Sequence, residues 1–125
     1  MAVRVLIVDD QKPFRAVARM VVELTDGFEL VGEAVTGEDS VISARVLKPD
    51  LVLMDVNLPG INGLEATEQI LAGPTPPVVL VLSTYEPEEY AARAVGVGAA
   101  AYIPKSAFDP EALVRAWREA DHGRT

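Results

Sequence analysis

Five short apolar runs punctuate the chain: Val3–Val8, Glu29–Ala34, Leu51–Met54, Val78–Leu82 and Ala101–Ile103. Most are rich in Val, Ile and Leu with no polar alternation, the pattern of strands covered on both faces. The second carries Glu29 and Glu33, which suggests an edge strand, and the fifth is very short. Between the runs, apolar residues recur at helical spacing. Phe14, Val17, Ala18, Val21 and Val22 mark a first helix, with Pro13 suited to its first position. Val41, Ile42 and Leu47 mark a second, closed before Pro49, and Leu64, Thr67, Ile70 and Leu71 a third, ending near Gly73-Pro74. Tyr90, Ala91, Ala94 and Val95 mark a fourth. Leu113, Ala116, Trp117 and Ala120 mark a fifth, for which Asp109-Pro110 supplies an N-cap and a first-position proline.

The order is strand–helix repeated five times, an α/β pattern in a single domain spanning residues 1–125. Right-handed crossovers then dictate a five-stranded parallel sheet with helices on both faces, and the doubly wound order 2-1-3-4-5 is its natural solution. In such sheets ligands sit outside the carboxyl ends of the strands, beside the point where the winding reverses. Only residues 121–125 read as a frayed terminus or the start of a linker.

Composition narrows the class. With 125 residues and 50% hydrophobic content, the chain has the size of one domain with one core. No apolar run approaches the roughly 20 residues of a membrane span. The first run ends at once in Asp9-Asp10 and so reads as a buried strand rather than a secretory leader. Absence of cysteine excludes disulfides and thiolate metal sites, and a cytoplasmic protein is expected. The net charge of −8 repels phosphate backbones, so nucleic acid is not the expected partner of this domain, nor is a membrane.

The polar residues at the strand ends carry the chemistry. The first strand ends at Asp9 and Asp10, the third at Asp55, the fourth at Ser83 and Thr84, the fifth at Lys105. One such residue alone is an ordinary cap or solvated side chain; converging from four strands, they form a crevice. Three close carboxylates repel one another and need a cation or raised pKa values. Mg²⁺ prefers a few hard oxygen ligands, keeps several waters and commonly works beside phosphate; Mn²⁺ would also serve. Lys105 can neutralise further charge, Ser83 can donate a hydrogen bond, and Asp55, on the central strand, is best placed to act as a nucleophile forming an acyl phosphate.

At this point the sequence resembles the receiver domains of response regulators in two-component signalling. The resemblance rests on Val5-Leu6-Ile7-Val8-Asp9-Asp10, on Asp50 through Gly60 with Asn62-Gly63, on Ser83-Thr84, and on Gly98 through Lys105. It implies the flavodoxin-like fold. It further implies that Asp55 receives a phosphoryl group, that Asp10, Asp55 and the main-chain carbonyl of Asn57 bind Mg²⁺, and that Asp9 assists through water. Lys105 would pair with phosphoryl oxygens, Ser83 would swing to the phosphoryl group, and Tyr102 would turn inward in response. The implied partner is a sensor histidine kinase, with a phosphorylation-dependent homodimer as a further consequence. Such a domain is a switch rather than an enzyme, catalysing only its own phosphorylation and dephosphorylation. Ser83-Thr84-Tyr85-Glu86 and Pro104-Lys105-Ser106 are most similar to the NarL/FixJ type, which usually precedes a DNA-binding domain and controls transcription.

Two positions depart from the commonest pattern: Ser83 replaces threonine and Ser106 replaces proline, which would make any cis bond at Lys105-Ser106 a costly non-proline one. Tyr85 is a further expectation, as a ring that shields the acyl phosphate from water. Three rivals stand beside this reading. A flavin carrier would need a phosphate-cradling loop where Asp9-Asp10-Gln11 stands. An aspartyl phosphatase would need an acid–base residue where Asn57 stands. A degenerate or stand-alone receiver acting as an interaction module would not need the full set of Asp9, Asp10, Asp55, Ser83 and Lys105.

Overall fold

The computed structural model of the chain describes residues 2–84 and 87–123. Five strands alternate with five helices: β1 Val3–Val8, α1 Lys12–Glu23, β2 Phe28–Ala34, α2 Gly37–Leu47, β3 Leu51–Asp55, α3 Gly63–Leu71, β4 Val78–Ser83, α4 Pro87–Gly96, β5 Ala101–Pro104 and α5 Pro110–Gly123. All strand pairs are parallel, in the order β2-β1-β3-β4-β5. The flavodoxin-like arrangement expected from the sequence is therefore the one observed.

Alternation along the central strands divides the apolar side chains between two cores. Leu6, Val8, Val52, Met54, Val79 and Val81 face α2, α3 and α4, meeting Val41, Leu64, Ile70 and Ala94. Val5, Ile7, Leu51, Leu53, Leu80 and Leu82 face α1 and α5, meeting Val22 and Leu113. Because β3 and β4 are buried along their whole length, their sequences are apolar at every position up to their polar ends. β2 lies at the sheet edge, as Glu29 and Glu33 suggested.

Strand boundaries extend beyond the apolar runs because backbone pairing does not stop at the first polar side chain. Asp55 still pairs with Leu82, and Ser83 with Pro104. Pro104 is tolerated because β5 is an edge strand that need not donate on its outer side. β5 runs directly into a 3-10 turn, Lys105–Ala107, which the periodicity did not announce. No peptide bond among the described residues is cis, so Lys105-Ser106 is trans. The Asp109 carboxylate caps α5 by accepting from the Ala112 N–H at 2.8 Å, and α5 continues two residues past Asp121, to Gly123. Among the described residues, no helix is long and apolar enough to cross a membrane.

Candidate functional site

The carboxyl ends of β1 and β3 lie side by side, and the turn after β5 reaches across β4 to join them. Asp9, one residue beyond β1, is almost completely buried. Its position is fixed on several sides: its N–H donates to the Ala34 carbonyl at 3.0 Å, its Oδ1 accepts from the Gln11 N–H at 2.8 Å, and its carbonyl accepts from Arg15 Nη1 at 3.0 Å. Its Oδ2 accepts no well-directed hydrogen bond among the described residues and faces the Lys105 ammonium at 2.7 Å. The same ammonium lies 3.4 Å from Asp55 Oδ1. Asp55 ends the central strand and is only 5% exposed, whereas Asp10 stands exposed at the mouth. One oxygen from each of Asp9, Asp10 and Asp55 lies within 4.8 Å of the others.

The electrostatics follow from this crowding. Burial pushes the Asp55 carboxyl from 3.8 up to about 6, and the Asp9 carboxylate pushes in the same direction. The charge and hydrogen bond of Lys105 and the Asn57 backbone N–H oppose the rise without cancelling it. One ammonium does not balance three carboxylates. Three hard carboxylate oxygens at this spacing, facing a single ammonium, fit a divalent cation such as Mg²⁺, with Asp9, Asp10 and Asp55 as the residues able to hold it.

The family model described as response regulator receiver domain matches residues 5–118. The chain belongs to the response regulator receiver domain family. It is 41% identical over 123 residues to the response regulator GacA of Pseudomonas aeruginosa, covering 98% of this chain and 56% of that protein. It is 38% identical over 122 residues to the response regulator UvrY of Escherichia coli, again covering 98% and 56%. Among solved structures, a two-component response regulator of the LuxR family from an Aurantimonas species matches with a TM-score of 0.88 and 32% identity, over 98% of this chain and 87% of that one. The NarL/FixJ-like resemblance agrees with these relatives. The chain spans about half the length of the curated relatives. Its family is one of signalling domains rather than classical enzymes.

Within this receiver domain, Asp9, Asp10, Asp55 and Lys105 come together as the sequence suggested. Ser83 closes β4 with its side chain buried, one residue beyond the Leu82 that pairs with Asp55, while Thr84 is exposed. Tyr102 is half-buried on β5 and packs against the core on the α4 side. The Asn57 side chain is exposed, and its backbone N–H is directed at Asp55. Tyr85 lies outside the described residues.

Three contributors were not legible as site residues. Phe14, read only as an apolar helix position, places its ring 4.4 Å from the Lys105 ammonium. Arg15 holds the Asp9 carbonyl and reaches Glu33 of β2 at 3.4 Å, tying the acidic loop to the sheet edge. Gly63 opens α3, donates its N–H to the Val56 carbonyl at 2.9 Å, and has no room for a Cβ, which would collide with the Asp55 carbonyl. The sequence marked it only as part of the Asn62-Gly63 pair in the family resemblance, with no role; Asn62 is the N-cap of α3, and its reciprocal hydrogen bonds with Glu65 form a capping box.

Proposed function

We propose that this receiver domain accepts a phosphoryl group on Asp55 from a sensor histidine kinase, in a Mg²⁺-dependent reaction, and thereby changes the partner preference of its α4–β5–α5 surface. The observation that carries the reading is the burial of Asp55 at the end of the central strand, against Lys105 and beside two further carboxylates. An Asp55 oxygen attacks the phosphorus of a phosphohistidine; the new O–P bond forms as the N–P bond breaks, and the imidazole leaves. With a carboxyl that titrates near 6, Asp55 is largely ionised and nucleophilic at neutral pH. Lys105 is drawn from the carboxylates onto a phosphoryl oxygen, retaining one cation beside the charge in transit. Bound Mg²⁺, held by Asp10, Asp55 and the Asn57 carbonyl with Asp9 acting through water, would neutralise carboxylate and phosphoryl charge.

Ser83, buried at the neighbouring strand end, is suited to donate a hydrogen bond to the phosphoryl group once it is present. That pull leaves room for the half-buried Tyr102 to repack beneath α4, coupling the site to the output surface. The downstream consequence is control of transcription through a further domain and a phosphorylation-dependent homodimer, in the cytoplasm. The test is incubation with a small phosphodonor and Mg²⁺, followed by intact-mass measurement. The wild type should gain one phosphoryl group, a gain prevented when Mg²⁺ is chelated before the phosphodonor is added and absent in Asp55→Asn; equal labelling of Asp55→Asn overturns the assignment.

A further inference from the structure

The ammonium of Lys105 is held from three sides, and only two of them are carboxylates. The third is the face of Phe14, with the ammonium 4.4 Å from the ring centroid. Phe14 belongs to the first turn of α1, the helix that follows the acidic pair directly. Its ring is braced by Phe108, with centroids 6.4 Å apart and planes inclined at 45°. Phe108 is buried and its N–H donates to the Lys105 carbonyl at 3.3 Å. The two rings thus join the helix behind the acidic loop to the turn that carries the lysine. Helical periodicity requires only an apolar residue at position 14; leucine would fill the space but offer the cation no negative face.

We propose that Phe14 is a positioning residue for phosphoryl transfer, its ring face keeping the Lys105 ammonium over the crevice while its other contacts change. The proposal rests on Asp55 being the phosphoacceptor. Before transfer, Lys105 is shared between Asp9 and Asp55; during transfer it turns to a phosphoryl oxygen. A carboxylate competes for the protons that the ammonium must present to the phosphoryl group. An uncharged ring face attracts the cation without taking up those protons in strong hydrogen bonds, so it holds the lysine in place through the exchange.

The experiment compares wild type, Phe14→Leu and Phe14→Tyr, each also in a Lys105→Met background, by the rate of phosphorylation from a small phosphodonor at saturating Mg²⁺. Phe14→Leu should slow the reaction about three- to tenfold, with the Mg²⁺ concentration for half-maximal rate unchanged. Phe14→Tyr, which keeps the ring face, should restore the wild-type rate. In the Lys105→Met background, Phe14→Leu should cause no further loss. A wild-type rate in Phe14→Leu, or an equal loss with and without Lys105, overturns the proposal while leaving the phosphoacceptor assignment intact. A wild type that takes up no phosphoryl group overturns both.

Discussion

Asp55 is asked to be buried and ionised at once, and its raised pKa records that conflict. Burial and the Asp9 charge favour the protonated form, while Lys105 and the Asn57 N–H favour the carboxylate. A carboxyl whose pKa is higher folded than unfolded adds stability below the unfolded value and loses it as pH rises through the folded one. The metal-free protein should therefore lose this contribution between about pH 4 and about 6. Asp55→Asn should escape the loss and be more stable than wild type at pH 8 by roughly 1–2 kcal/mol, a figure reduced for water at the crevice mouth. The advantage should vanish at pH 4 and shrink when Mg²⁺ is added. Urea denaturation at the two pH values, with and without Mg²⁺, checks this; parallel pH profiles for the two proteins would contradict it.

At the scale of elements, the site depends on how closely α3 is set against β3. A Cβ at Gly63 would meet the Asp55 carbonyl and the Val56 Cα, both backbone atoms that cannot rotate away. Gly63→Ala should cost about 1–3 kcal/mol in urea denaturation and weaken Mg²⁺ binding by displacing the loop that carries Asn57; unchanged stability would show that the helix shifts freely. A second element-scale prediction concerns β4 and β5. Phosphorylation should shift the ring signals of Tyr102 in NMR spectra, and Ser83→Ala should abolish most of that shift. The elements themselves were legible because strands covered on both faces must be apolar throughout, as β3 and β4 are. The four strand-end groups were legible because strand order places them at one edge. The clash that fixes Gly63 and the Phe14 ring over Lys105 were not, because each is set by contacts between different elements, and the 3-10 turn after Pro104 is too short to show a periodicity.

Across the whole molecule, a sheet sealed on both faces leaves its carboxyl edge as the place where polar groups gather. The overall charge of −8 reinforces the local demand for a cation and opposes polyanions. The isolated chain should accordingly leave duplex DNA unretarded in gel-shift assays at physiological salt, phosphorylated or not; retardation by the phosphorylated chain would contradict this. The central claim, that the carboxylate of Asp55 becomes an acyl phosphate, is tested most directly by borohydride trapping. Reduction of the protein after exposure to a phosphodonor and Mg²⁺ should convert one aspartate to homoserine, and peptide mapping should find it at position 55 alone. Homoserine at Asp9 or Asp10, or a phosphorylated protein that borohydride leaves unchanged, would contradict the account.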